Sequence, residues 1–140
     1  MSNVRAHFSA TMMLFALLVL AFVPILVWRY ARSHAPRHVW LATGASLGVV
    51  ISPLSLGLYS TFFLGPFGLP TGMVGLVSVL FHGAPGFHLA QWLELVPHGV
   101  VSGKSHVYVE LLNGVIWAVS YGLVGFVADW FRFRGRPQIA

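Results

Sequence analysis

Residues 8–28, FSATMMLFALLVLAFVPILVW, contain no charged side chain. As a helix that stretch reaches about 31 Å, one bilayer hydrocarbon core. In water it would have to be buried on every side, and a chain of 140 residues has too little interior to do that. The rest of the chain is of the same kind. It is 57% hydrophobic and 8% charged, where soluble domains carry about 25% charge. The sequence therefore predicts an all-α fold, a polytopic helical membrane protein forming a single domain over 1–140. The first run is longer than the roughly 7–15 residues of a signal-peptide core and no A-x-A site follows it, so it is expected to be retained as a span. Pro24 is expected to kink it.

Two further full spans are predicted, about 39–64 and 107–131. Ser52-Pro53 marks a kink in the first of these. Between them lies a segment too short for an ordinary crossing. The apolar run 69–81 would span about 20 Å as a helix, and GAPG breaks the chain at 83–86. Residues 87–97 read as an amphipathic helix. His88, Gln91 and Glu94 fall on one side, and Leu89, Trp92, Leu93 and Val96 on the other, as in a helix lying flat at the interface. Segment 69–97 is thus expected to be re-entrant or interfacial. The alternative is a four-helix bundle whose third helix is broken.

Arginine placement separates these arrangements. With three spans, the first loop (Arg29, Arg32, Arg37) and the tail (Arg132, Arg134, Arg136) share a side. That side then holds six basic residues against two, Arg5 and Lys104. With four spans the count is four against four. The positive-inside rule favours three spans, with the N-terminus outside and the C-terminus cytoplasmic. A bacterial inner membrane is the expected location. The arginines are expected to meet anionic lipid headgroups, and Asp129 to pair with Arg132 or Arg134. No nucleic-acid partner is expected.

Small residues recur every four positions at Gly44, Gly48 and Ser52, and again at Gly114, Ala118 and Gly122. Such stripes let helix backbones approach closely, either within the chain or against another chain. Asn113 and Ser120 are placed to hydrogen-bond to a neighbouring helix.

Candidate chemistry is sparse. The chain has no cysteine, which excludes disulfides and thiolate sites. His82, His88, His98 and His106 are metal-ligand candidates for copper, zinc or haem. Their spacing, H-x5-H-x9-H-x7-H, fits no compact site, and they read first as outer-side interfacial residues. His106 and Glu110 are expected to form an i,i+4 pair. Pro36 between His34 and His38 separates that pair. No catalytic set, P-loop or dinucleotide fingerprint is present, and no cofactor is expected. The spans are read as lacking central charges and histidines, which argues against active transport.

The function expected is non-enzymatic: an accessory or assembly subunit, or an immunity-type partner, working through helix contacts with other subunits or with itself. The layout of three spans with a basic tail also resembles that of class I phage holins, which implies an oligomeric pore. A histidine-based metal or haem redox protein is the third reading.

Overall fold

The computed structural model describes residues 2–64, 68–96 and 104–134, all helix and turn with no strand among them. Helix α1 runs Ser2–His34, α2 Val39–Ser60, α3 Leu69–His82, α4 Ala84–Trp92 and α5 Lys104–Arg134. Short 3-10 turns, Pro36–His38 and Thr61–Leu64, follow α1 and α2. Two boundaries differ from expectation. The first helix continues through Pro24 and past Trp28 to His34, with Arg32 lying over the Trp28 ring at 5.2 Å. The second leaves the α-helical form at Ser60, where the chain tightens.

By length and composition, four stretches suffice to cross a bilayer: Phe15–His34, Pro36–Ser60, Leu69–Trp92 and Ser105–Arg134. Contact register fixes how they run. Along the seam between α2 and α5, Trp40 faces Gly125, Gly44 faces Tyr121, Gly48 faces Trp117 and Val49 faces Gly114. Rising numbers on one helix meet falling numbers on the other, so α2 and α5 are antiparallel. The end of α2 and the start of α5 therefore lie at the same end of the bundle. The start of α3 lies there too, because Thr61 bonds Thr71 at 2.7 Å and Gly72 abuts Phe62.

Segment 69–96 consequently begins and finishes toward one end. Helix α3 descends along α2, with Gly75 against Leu58 and Tyr59, and Ser78 bonded to Ser55. At residues 83–86 it meets Asn113, about 14 Å along α5 from Lys104. From there α4 leads back toward the start of α5: Ala90 and Val96 pack on Val109. The third stretch is a re-entrant elbow beside three crossing helices.

The expected flat helix over 87–97 is not formed. Helix α4 ends at Trp92, and its buried positions are Gly86 and Ala90. Its small face is the packed one, because only small residues admit the close approach to α5, while Trp92 points outward at 79% exposure. Glu94 takes φ 57°. Its N–H donates to Gln91 O and the Leu95 N–H to Ala90 O, forming a Schellman motif with a non-glycine residue at the left-handed position. Exposed Glu94→Gly should relieve that conformation and raise stability by about 1 kcal/mol in a detergent melt.

The opposite end is joined through Asp129, which is 2% exposed. Helix α2 has no capping side chain of its own. The Leu41 N–H in its first turn donates to Asp129 Oδ2 at 2.9 Å. A carboxylate at a helix N-terminus satisfies an orphan donor and the positive dipole end together. Asp129 is thus committed to α2 and forms no ion pair with Arg132 or Arg134. Those guanidinium groups lie over the rings of Phe133 and Trp130, at 5.8 and 4.2 Å. Arg37, His38, Asp129, Trp130 and Arg134 line one cavity, so the first loop and the end of α5 share one end of the bundle. Arg136 lies outside the described residues.

Candidate functional site at the elbow

An elbow inside a membrane protein exposes backbone polar groups where water cannot meet them. Three separate features open the helix here. Pro85 has no N–H, the Gly86 N–H donates to Asn113 Oδ1 at 2.6 Å, and His82 O accepts from Trp117 Nε1 at 2.8 Å. Asn113 Nδ2 also donates to Gly83 O at 3.1 Å. Two side chains of α5 thus replace bonds the helix gives up. Asn113 is fully buried, and a Cβ on Gly86 would meet its side chain and backbone. The expectation that Asn113 bonds a neighbouring helix is met. Ser120 instead donates to its own Ile116 O at 2.8 Å.

His82 sits at this elbow and not on an outer surface, which corrects its interfacial assignment. The crossing helices do lack central histidines, but the elbow carries one to their depth. Its Nδ1 lies 3.0 Å from Ser78 O and 3.2 Å from Ser78 Oγ, and its Nε2 lies 2.7 Å from the Tyr121 hydroxyl. A carbonyl beside Nδ1 requires a proton there, so Nε2 accepts from Tyr121 O–H. Ser78 Oγ is 2.5 Å from Ser55 Oγ, which donates to Ile51 O at 2.6 Å. The chain Tyr121–His82–Ser78–Ser55 therefore ties α5, α3 and α2 together. Tyr121→Phe removes the donor to Nε2 and is expected to cost about 1–2 kcal/mol, read from thermal midpoints against wild type.

Above the elbow, α2, α3, α4 and α5 border an open cavity of about 280 Å³ lined by Ser52, Leu56, Leu80, Phe87, His106 and Glu110. His106 and Glu110 also line a groove of about 530 Å³ on the neighbouring α2–α5 face. They make no mutual hydrogen bond, contrary to the expected i,i+4 pair. Glu110 Oε2 is fully buried with no hydrogen-bond partner. Its side chain borders both the elbow cavity and the groove on the α2–α5 face.

The three described histidine candidates, His82, His88 and His106, do not converge. His82 is bound to Tyr121, His88 is exposed on α4, His106 lines the cavity, and His98 lies outside the described residues. Among the described residues no three metal-ligating side chains form a group. The small-residue stripes are occupied inside the chain. A Cβ on Gly44 or Gly48 would collide with the α5 backbone at Tyr121 or Trp117, and Gly125, absent from the predicted stripe, is as tight against Trp40. Ser52 is buried against the elbow cavity. Gly114 and Gly122 have ordinary spacing to Val49 and Ala45, and Ala118 borders the groove.

These features define a class: an all-α polytopic helical membrane protein with a re-entrant elbow held by polar side chains of its last helix. The chain matches no family model, no curated protein and no solved structure.

Proposed function

We propose that the chain is a non-enzymatic integral membrane protein that works by contact inside the bilayer, as an accessory or assembly subunit of a larger membrane complex. One observation carries this reading. The elbow stops part-way down α2 and α5, and no described segment covers the space beneath it. Phe81 at its tip is 63% exposed, and Val124, one turn beyond Tyr121 on α5, is 68% exposed. A membrane helix entering from the opposite leaflet would meet the tip and cover this face, through van der Waals packing of the kind that drives association in lipid. An immunity-type protein that blocks another protein's membrane segment would use the same face.

The orientation we propose has the N-terminus outside and the C-terminus in the cytoplasm, in a bacterial inner membrane. Support comes from Arg29, Arg32 and Arg37 sharing an end with Arg132 and Arg134, where anionic headgroups would meet them. A holin-like pore would need several chains, because the far half of the α2–α5 seam is closed by backbone contact at Gly44, Gly48 and Gly125.

The test is purification from native membranes in mild detergent with a photo-crosslinking residue at Val124, and the same residue at Leu26 of α1 as control. The reading predicts one stoichiometric membrane protein crosslinked from Val124 and not from Leu26. Equal, non-discrete labelling from both positions refutes it.

A further inference from the structure

We propose that the groove between α2 and α5 holds one phospholipid of the elbow-side leaflet, with a primary-ammonium headgroup on Glu110 and an acyl chain laid over Gly114 and Ala118. This site lies in the other half of the bundle's depth from the face beneath the elbow and does not depend on it.

The groove begins where backbone contact ends. Gly48 and Trp117 touch, and above them the two helices part around a volume of about 530 Å³. Val49 and Pro53 form one wall, and His106, Glu110, Gly114 and Ala118 the other. The flanking residues Val107, Leu111 and Val115 are each more than half exposed, so the opening faces lipid. From His106 to Ala118 it runs about 18 Å. One leaflet supplies about 15 Å of hydrocarbon. The two titratable side chains, His106 and Glu110, stand at the end nearest the surface, and the rest is apolar with a floor of small residues. That is the profile of an amphiphile with its head at the surface and a tail pointing to the midplane.

The headgroup follows from Glu110. Its side chain lines the groove, its inward Oε2 has no donor in the protein, and a carboxylate at membrane depth requires one. Side chains lean toward a helix's N-terminus, which carries this carboxylate toward the headgroup level. Pro53 also leaves Val49 O without its helical donor, which adds one acceptor to an otherwise apolar wall. An anionic headgroup is repelled there, and a quaternary ammonium has no N–H to donate. A primary ammonium brings three donors and the opposite charge. A bare alkali cation would need several oxygen ligands in place of an apolar wall.

The test counts lipids retained by the full chain in native mass spectrometry from mild detergent. Ethanolamine and choline phospholipids with identical acyl chains are supplied at equal concentration. One ethanolamine lipid is expected to remain bound, with a preference of about tenfold or more, as for a hydrogen bond to a charged group. Glu110→Gln keeps the shape of the side chain and should abolish the preference. Ala118→Phe fills the floor and should lower retention of both lipids alike. Equal retention by the wild-type chain overturns the proposal without recourse to any variant. A preference that survives Glu110→Gln, or retention indifferent to Ala118→Phe, overturns it as well.

Discussion

Replacing Asn113 with leucine is expected to destabilise the protein by about 2–4 kcal/mol. Leucine has the same branching at Cγ, with two bulkier methyl groups in place of the amide, and no polar atom. The Gly86 N–H would lose its partner and Gly83 O its strongest donor, both in a buried environment. The unpaired Gly86 N–H costs about 1–3 kcal/mol and the weakened carbonyl about 1 kcal/mol more, because Gly83 O keeps the Phe87 N–H at 3.3 Å and no water stands by to replace the amide. Unfolding by denaturing detergent would show the loss as a shifted midpoint. Limited proteolysis should then cut between α3 and α5 in the variant under conditions that spare the wild type. Near-wild-type stability would mean that Asn113 does not hold the elbow.

The second large effect separates two glycines that look equivalent in the sequence. A Cβ on Gly48 would collide with the backbone of Trp117 and Ala118, which cannot rotate away as a side chain can. Gly48→Ala must push α2 and α5 apart along their main seam, at a cost of about 2–3 kcal/mol or more. A Cβ on Gly114 would lie 3.7 Å from Val49 O, an ordinary contact. Gly114→Ala should therefore be neutral, or stabilising by up to about 1 kcal/mol through helix propensity. Thermal midpoints of the pair, measured side by side, check the seam register. Equal effects would contradict it.

The contrast shows what the amino-acid pattern carries. A small residue every four positions announces close helix contact, but not which member touches backbone. That depends on the rotation of α5, which brings Gly125 into the seam and leaves Gly114 at its edge. The short apolar run at 69–81, the GAPG break and the arginine asymmetry together predict a re-entrant or interfacial segment, and α3 and α4 form the first of these. Helical periodicity over 87–97 predicts a flat amphipathic helix, but the helix stops at Trp92. It does not reveal that α4 packs through Gly86 and Ala90, because a hydrophobicity pattern counts large apolar residues as the buried ones and in lipid they face outward.

The polar anchors were only partly legible. Asn113 stands out as an amide inside an apolar helix. His82 reads as interfacial because depth is not encoded near it: Gly83 and Pro85 set the bend, and Trp117 and Tyr121, 35 and 39 residues away, fix the ring's depth. Asp129 sits beside arginines in the sequence, so a local ion pair is the natural expectation. Its true partner, the Leu41 N–H, is 88 residues distant. Helix caps supplied from another helix leave no local signature.

The absence of cysteine makes the central claim directly measurable. Thr71→Cys and Glu94→Cys report the two ends of the elbow segment, and Ser33→Cys and Arg134→Cys report the far end of the bundle. Each single-cysteine protein is treated in sealed, oriented vesicles with a membrane-impermeant maleimide. A re-entrant elbow predicts that positions 71 and 94 react from one face and positions 33 and 134 from the other. Labelling of 71 and 94 from opposite faces would mean that the third stretch crosses the membrane, and would contradict the account.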